Sequence, residues 1–173
     1  MPESPTPSLR REIAAVAARL VADSGLDYAS AKRKAARQIL GRESDARGRM
    51  PDNDEVDAAL LEHLTLFDDE HDARVARRRR AAVSLMMLLE PFAPYLTGGV
   101  WKGIVAEHAP IHVQVFHDNA KEVEIALLDA RVAFEVGELP HLGGVGEVEA
   151  LGFDWRGEPV IVSLYETDAV RAG

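Results

Sequence analysis

Near residue 91 the hydrophobic pattern of this chain changes period. Ahead of it, apolar residues return every three or four positions, the spacing of one helix face. Beyond it they alternate, the spacing of one strand face. Pro91 and Pro94 stand at the change. Proline ends helices, because it lacks the N–H and clashes with the preceding turn. A chain divided in this way is neither an all-helical bundle nor an all-β sandwich. The expectation is an α+β (α/β) protein, with an N-terminal helical region over residues 1–91 and a small mixed sheet with helices over 92–173. With 173 residues, 47% of them hydrophobic, it can bury a core without metals or disulfides.

Four helices are expected in the first part. In the first, Leu9, Ile13, Val16, Ala17, Leu20 and Val21 share a face, with Ser8 as N-cap and Gly25 as stop. The second runs from about Asp27 to Leu40, ahead of Gly41. Residues 41–51 are polar and read as a loop. The third opens after Pro51 at Asp52/Asn53 and carries Val56, Ala59, Leu60, Leu64 and Phe67. The fourth extends from about 68 to 90. Its segment 83–89 is apolar on nearly every side and should be buried, with Leu85, Met86, Leu89 and Phe92 docking it on the sheet.

Beyond Pro94, residues 95–97 suggest a short strand and 100–105 a short helix. The stretch Ile111-His112-Val113-Gln114-Val115-Phe116 alternates and is β-branched, which favours a strand. Asp118/Asn119 can cap a helix reaching Asp129. A short strand is expected over 133–136, and a glycine-rich loop over 140–146. Residues 147–154 and 159–165 read as a hairpin turning through Trp155-Arg156-Gly157-Glu158.

Several chemistries are excluded. The chain has no cysteine, so no disulfide, thiolate zinc site or thiol nucleophile. The longest apolar stretch, about 81–89, is half of what a membrane span needs. The first seven residues lack a leader pattern. A reducing, cytoplasmic setting and no membrane partner are therefore expected. Neither a P-loop nor a Gly-x-Ser-x-Gly elbow is present. His108 and His112 have the i,i+4 spacing of metal ligands, but Pro110 between them opposes a helix.

Charge is uneven. The net is +4 over residues 1–50, −5 over 51–90 and −8 over 91–173, for −9 in all. The C-terminal half should repel polyanions. A nucleic-acid or partner contact is expected from Lys32, Arg33 and Arg37 on the second helix, or from the run at Arg77 and Arg78. That run competes with a plainer reading, a solvated face balanced by the acids ahead of it.

The segment Leu96-Thr97-Gly98-Gly99-Val100-Trp101-Lys102-Gly103, followed by the strand at 111–116, resembles the opening of the nucleotidyltransferase fold of the DNA polymerase β-like superfamily. The resemblance covers roughly residues 92–170. The whole chain is similar to bacterial proteins in which such a core follows several N-terminal helices. Gly98-Gly99 match the family's glycine pair, and Lys102-Gly103 its basic-glycine pair. Pro110 and His112 stand where its two metal-binding acids would be. The strand at 159–165, where a third acid is usual, has none before Glu166.

The resemblance therefore implies a nucleotidyltransferase-like protein without metal-dependent transfer, acting by binding a nucleotide, an RNA or a protein partner. No catalytic residue, metal ligand or cofactor is assigned. The expected ligand residues are Gly98, Gly99, Lys102, Gly103, His112 and Gln114. Two alternatives stand beside this reading. One is an active, Mg²⁺-dependent transferase with acids in another register, such as Glu107, Asp118 or Glu166. The other is a nucleic-acid-binding regulator that uses the basic N-terminal helices. Gly98-Gly99 also have a plain reading, as a strand-to-helix turn.

Overall fold

The structure, a computed structural model, describes residues 8–172. The first seven residues, where no leader is expected, lie outside the described residues. In chain order the elements are α1 (Leu9–Ser24), α2 (Tyr28–Leu40), α3 (Asn53–Phe67), α4 (His71–Leu88), β1 (Tyr95–Thr97), α5 (Gly98–Lys102), β2 (Ile111–Phe116), α6 (Ala120–Asp129), β3 (Glu135–Pro140), β4 (Glu147–Trp155) and β5 (Glu158–Tyr165). The protein is α+β, with N-terminal helices followed by a five-stranded mixed sheet and interspersed helices. Among the described residues, no helix is long and apolar enough to cross a membrane.

Two compact units divide between His71 and Asp72. The first holds α1 to α3, and local chemistry sets their ends. Ser8 Oγ accepts from Arg11 N at 3.3 Å, and Asp27 Oδ1 from Ser30 N at 2.8 Å. Asp52 and Glu55 form a capping box at the start of α3. Gly25 and Gly41 stop α1 and α2 in the left-handed conformation. The core joins Ile13 and Ala17 of α1 to Ala31, Ala35 and Ala36 of α2, with Ala46 of the following 3₁₀ turn. Alanine side chains let the two helices approach closely.

The second unit is built on the sheet, in the order β1-β2-β5-β4-β3. β2 and β5 are parallel, and the other neighbours are antiparallel. One face carries Ile111, Val113, Val115, Leu151, Phe153, Val160 and Val162. These pack with Leu85 and Leu89 of α4 and with Val123 and Leu127 of α6. Leu85, Leu89 and Phe92 are buried, and Met86 packs partly against the same cluster. α4 therefore folds with the sheet, although its periodicity groups it with the helices before it.

Three sequence expectations are corrected. The apolar half of α4 is not buried all round: Val83 is 59% exposed and Met87 72%, because the sheet meets only one face of the helix. The short helix runs over Gly98–Lys102 rather than 100–105, since Gly103, at φ 79°, stops it in the left-handed region. The strand expected at 133–136 is Glu135–Pro140, because pairing with β4 rather than β-propensity fixes its extent.

Candidate functional site

Alternation along the strands divides the sheet chemically. While β2 sends Ile111, Val113 and Val115 into the core, His112 and Gln114 lie half-buried on the opposite face. Register then assembles that face. Tyr95, Gln114, Ser163 and Ala150 form one row across β1, β2, β5 and β4; Thr97, His112, Ile161 and Gly152 form the next. The face thus offers a phenol, an amide, two hydroxyls and an imidazole. Burial holds the His112 imidazole below its ordinary pKa, so it is neutral at pH 7. Tyr95 is 51% exposed and meets Phe116 edge-on at 5.5 Å. Beside them, Phe116, Val148 and Tyr165 form a small apolar cluster.

The glycines have separate reasons. Gly98 adopts φ 73°, and a Cβ there would meet His112 Cδ2 at 3.3 Å, so this residue adjoins the polar face. Gly99 instead closes the turn. Its carbonyl accepts from Ile104 N at 2.9 Å, and a Cβ would fall 2.3 Å from Ile104 O. Gly103 faces α4, with Arg79 Nη2 3.1 Å from its Cβ position. Lys102 is exposed in the last turn of α5. Of the six expected ligand residues, Gly98, His112 and Gln114 come together on one face. Gly99 and Gly103 answer to the fold of the turn itself.

Several basic residues, Lys32, Arg33, Arg37, Arg74, Arg77, Arg78 and Arg79, are engaged within the protein. Lys32 Nζ donates to Pro51 O at 3.2 Å and Asn53 Oδ1 at 3.1 Å, holding the entry to α3. Arg33 reaches Ser30 Oγ, and Arg37 pairs with Glu43 at 3.4 Å. On α4, Arg74 Nη1 donates to Val105 O at 3.1 Å and Arg78 Nη2 to Glu107 O at 2.8 Å. Arg79 donates to Val100 O and Trp101 O. Three arginines therefore clamp the backbone of α5 and of the segment that leads from it to β2. Arg78 is only 4% exposed, and desolvation pushes its pKa below the ordinary value. Arg77 and Arg78 also pair with Glu158, at 3.4 and 3.3 Å. The run is thus distributed round the helix, with Arg78 buried and Arg77, Arg79 and Arg80 exposed.

The alternative acids are spread out. Glu107 precedes β2 and Asp118 follows it, and a six-residue strand spans roughly 20 Å. Asp118 accepts from Thr167 N and Oγ1 at 2.9 and 2.8 Å, which holds its carboxyl below the usual range. Glu166 is exposed. Among the described residues, no group of three or more His, Asp or Glu side chains could hold a metal ion.

Sequence reasoning found His112 and Gln114 but missed Tyr95, Thr97 and Ser163. Their signal is the same alternation, read across the pairings Tyr95–Gln114, Thr97–His112 and Gln114–Ser163, which join separate segments of the chain. Compared with known proteins, the chain matches no protein-family model, no curated protein and no solved structure.

Proposed function

We propose that this protein is nucleotidyltransferase-like in its C-terminal unit and works by binding a nucleotide without metal-dependent transfer. One observation carries the reading: the polar face beside Gly98 is built from neutral groups, His112, Gln114, Ser163, Thr97 and Tyr95. A bound Mg²⁺ needs hard, charged oxygen ligands, commonly one or two carboxylates. The two positions matching the family's metal-binding acids are Pro110 and His112. A neutral hydrogen-bonding face with an exposed phenol suits a base and its ribose better. Aromatic side chains stack on bases, and amides read their edges. The order strand, glycine pair, short helix, strand supports the fold resemblance.

In this reading Tyr95 stacks on the base, and Gln114 and Ser163 hydrogen-bond to it. His112 presents a neutral imidazole beside the glycine turn. Equilibrium titration with ATP, GTP, CTP and UTP tests this. Gln114→Leu should weaken the preferred nucleotide about tenfold, the equivalent of about 1.4 kcal/mol. Tyr95→Ala should weaken it by a similar factor. Unchanged affinity in both variants would place the ligand elsewhere.

A further inference from the structure

An open cavity of about 250 Å³ lies between α4 and the β4–β5 hairpin, lined by Arg77, Arg80, Ala81, Arg156 and Glu158. Three guanidinium groups meet one carboxylate there. Glu158 already serves Arg77 and Arg78. The side chains of Arg80 and Arg156 form no hydrogen bond or ion pair among the described residues.

Two buried donors nearby also lack an acceptor, Arg78 Nε and Trp155 Nε1. Trp155 pairs with Glu158 across the hairpin, and Arg156 follows it in the chain. This region therefore holds more donors than its acceptors can satisfy, in a protein whose net charge is −9. Guanidinium groups that line a cavity in excess of its one carboxylate are what a phosphate group, which accepts through every oxygen, would satisfy.

The hairpin turn adds an independent observation. Arg156 and Gly157 both have positive φ, 52° and 81°, the pattern of a two-residue I′ turn. Asn or Gly is favoured at the first position, and a long side chain is strained there. The arginine is held in that conformation at the rim of the cavity. Backbone strain of this kind gathers at ligand sites.

We infer that Arg77, Arg80 and Arg156 form a binding site for the phosphate groups of a small phosphorylated ligand. The volume is below that of pockets for whole drug-sized molecules, so it accommodates one or two phosphate groups with the rest of the ligand outside. Glu158 holds Arg77 in place from the side.

Calorimetric titration of the full chain with inorganic pyrophosphate and inorganic phosphate tests the site. Arg156→Asn suits the left-handed turn and removes the charge, so the fold is kept. It should weaken pyrophosphate binding at least tenfold, and Arg80→Gln should do the same. Gln114→Leu should leave it unchanged, which separates this site from the nucleotide face. The inference is overturned if pyrophosphate does not bind, or binds equally well to both arginine variants. It is also overturned if only single-stranded RNA binds, with affinity falling steeply with salt. That result would mark a polynucleotide surface instead.

Discussion

Single residues show how far local chemistry reaches in this chain. Glu149 stands directly opposite Glu138 in the β3–β4 register. Desolvation and its contact with Glu124 raise its pKa above the ordinary carboxylate value. Glu147 is raised in turn by Glu138. For a carboxyl raised by folding, stability is present below the unfolded pKa and is lost as pH rises through the folded one. Glu149→Gln should therefore stabilise the protein at pH 7, by on the order of 0.5 kcal/mol for relief of a like-charged pair. The gain should fade as pH falls through the raised folded value and be gone below about 4.3, the ordinary glutamate value. Urea denaturation at pH 7 and pH 4 reads both. A gain that persists undiminished at pH 4 would mean that the charge is not its cause. The chain contains Asp27 and Asp118 as opposites, with carboxyls held low by hydrogen bonds from Ser30 and Thr167. Their contribution is present above the unfolded pKa and is lost as pH falls.

At the scale of elements, what the sequence makes legible is what is local. The ends of α1, α2 and α3 follow from Ser8, Asp27, the Asp52–Glu55 box, Gly25 and Gly41, each within four residues of its effect. Asn119 at the start of α6 and the hairpin at Arg156-Gly157 are equally readable. What is not readable is pairing between distant segments. β2 and β5 lie parallel, with His112 beside Ile161, and alternation in either strand leaves that register open. The four-arginine run shows the same limit, since the partners of Arg77, Arg78 and Arg79 lie roughly twenty to eighty residues away on different elements. The structure gives these arginines unequal weight. Arg74→Met removes a buried charged donor from Val105 O and should cost about 1.5–3 kcal/mol. Arg80→Ala, at an exposed position, should stay within about 0.5 kcal/mol of the parent. Thermal and denaturant midpoints distinguish them. Equal losses would contradict the clamp.

Across the whole molecule, the C-terminal unit separates its structural face from its chemical face. α4 and α6 bury the apolar side of the sheet. The opposite side keeps neutral polar groups on β1, β2 and β5 beside the Gly98 turn, with Tyr95 half-exposed, and carries Glu135 on the outer strand β3. Half of the candidate site, Gly98, His112 and Gln114, was legible from the resemblance and from strand alternation. The rest, Tyr95, Thr97 and Ser163, exists only once β1 and β5 are paired with β2. The central claim is nucleotide binding on this face without a metal. The most direct measurement is calorimetric titration of the full chain with the four ribonucleoside triphosphates, in Mg²⁺ and again in EDTA. The expected result is binding of at least one nucleotide, with affinity that stays within about threefold when Mg²⁺ is removed and falls about tenfold in Gln114→Leu. Binding that vanishes in EDTA, or release of pyrophosphate from the nucleotide, would contradict the claim and restore transfer chemistry.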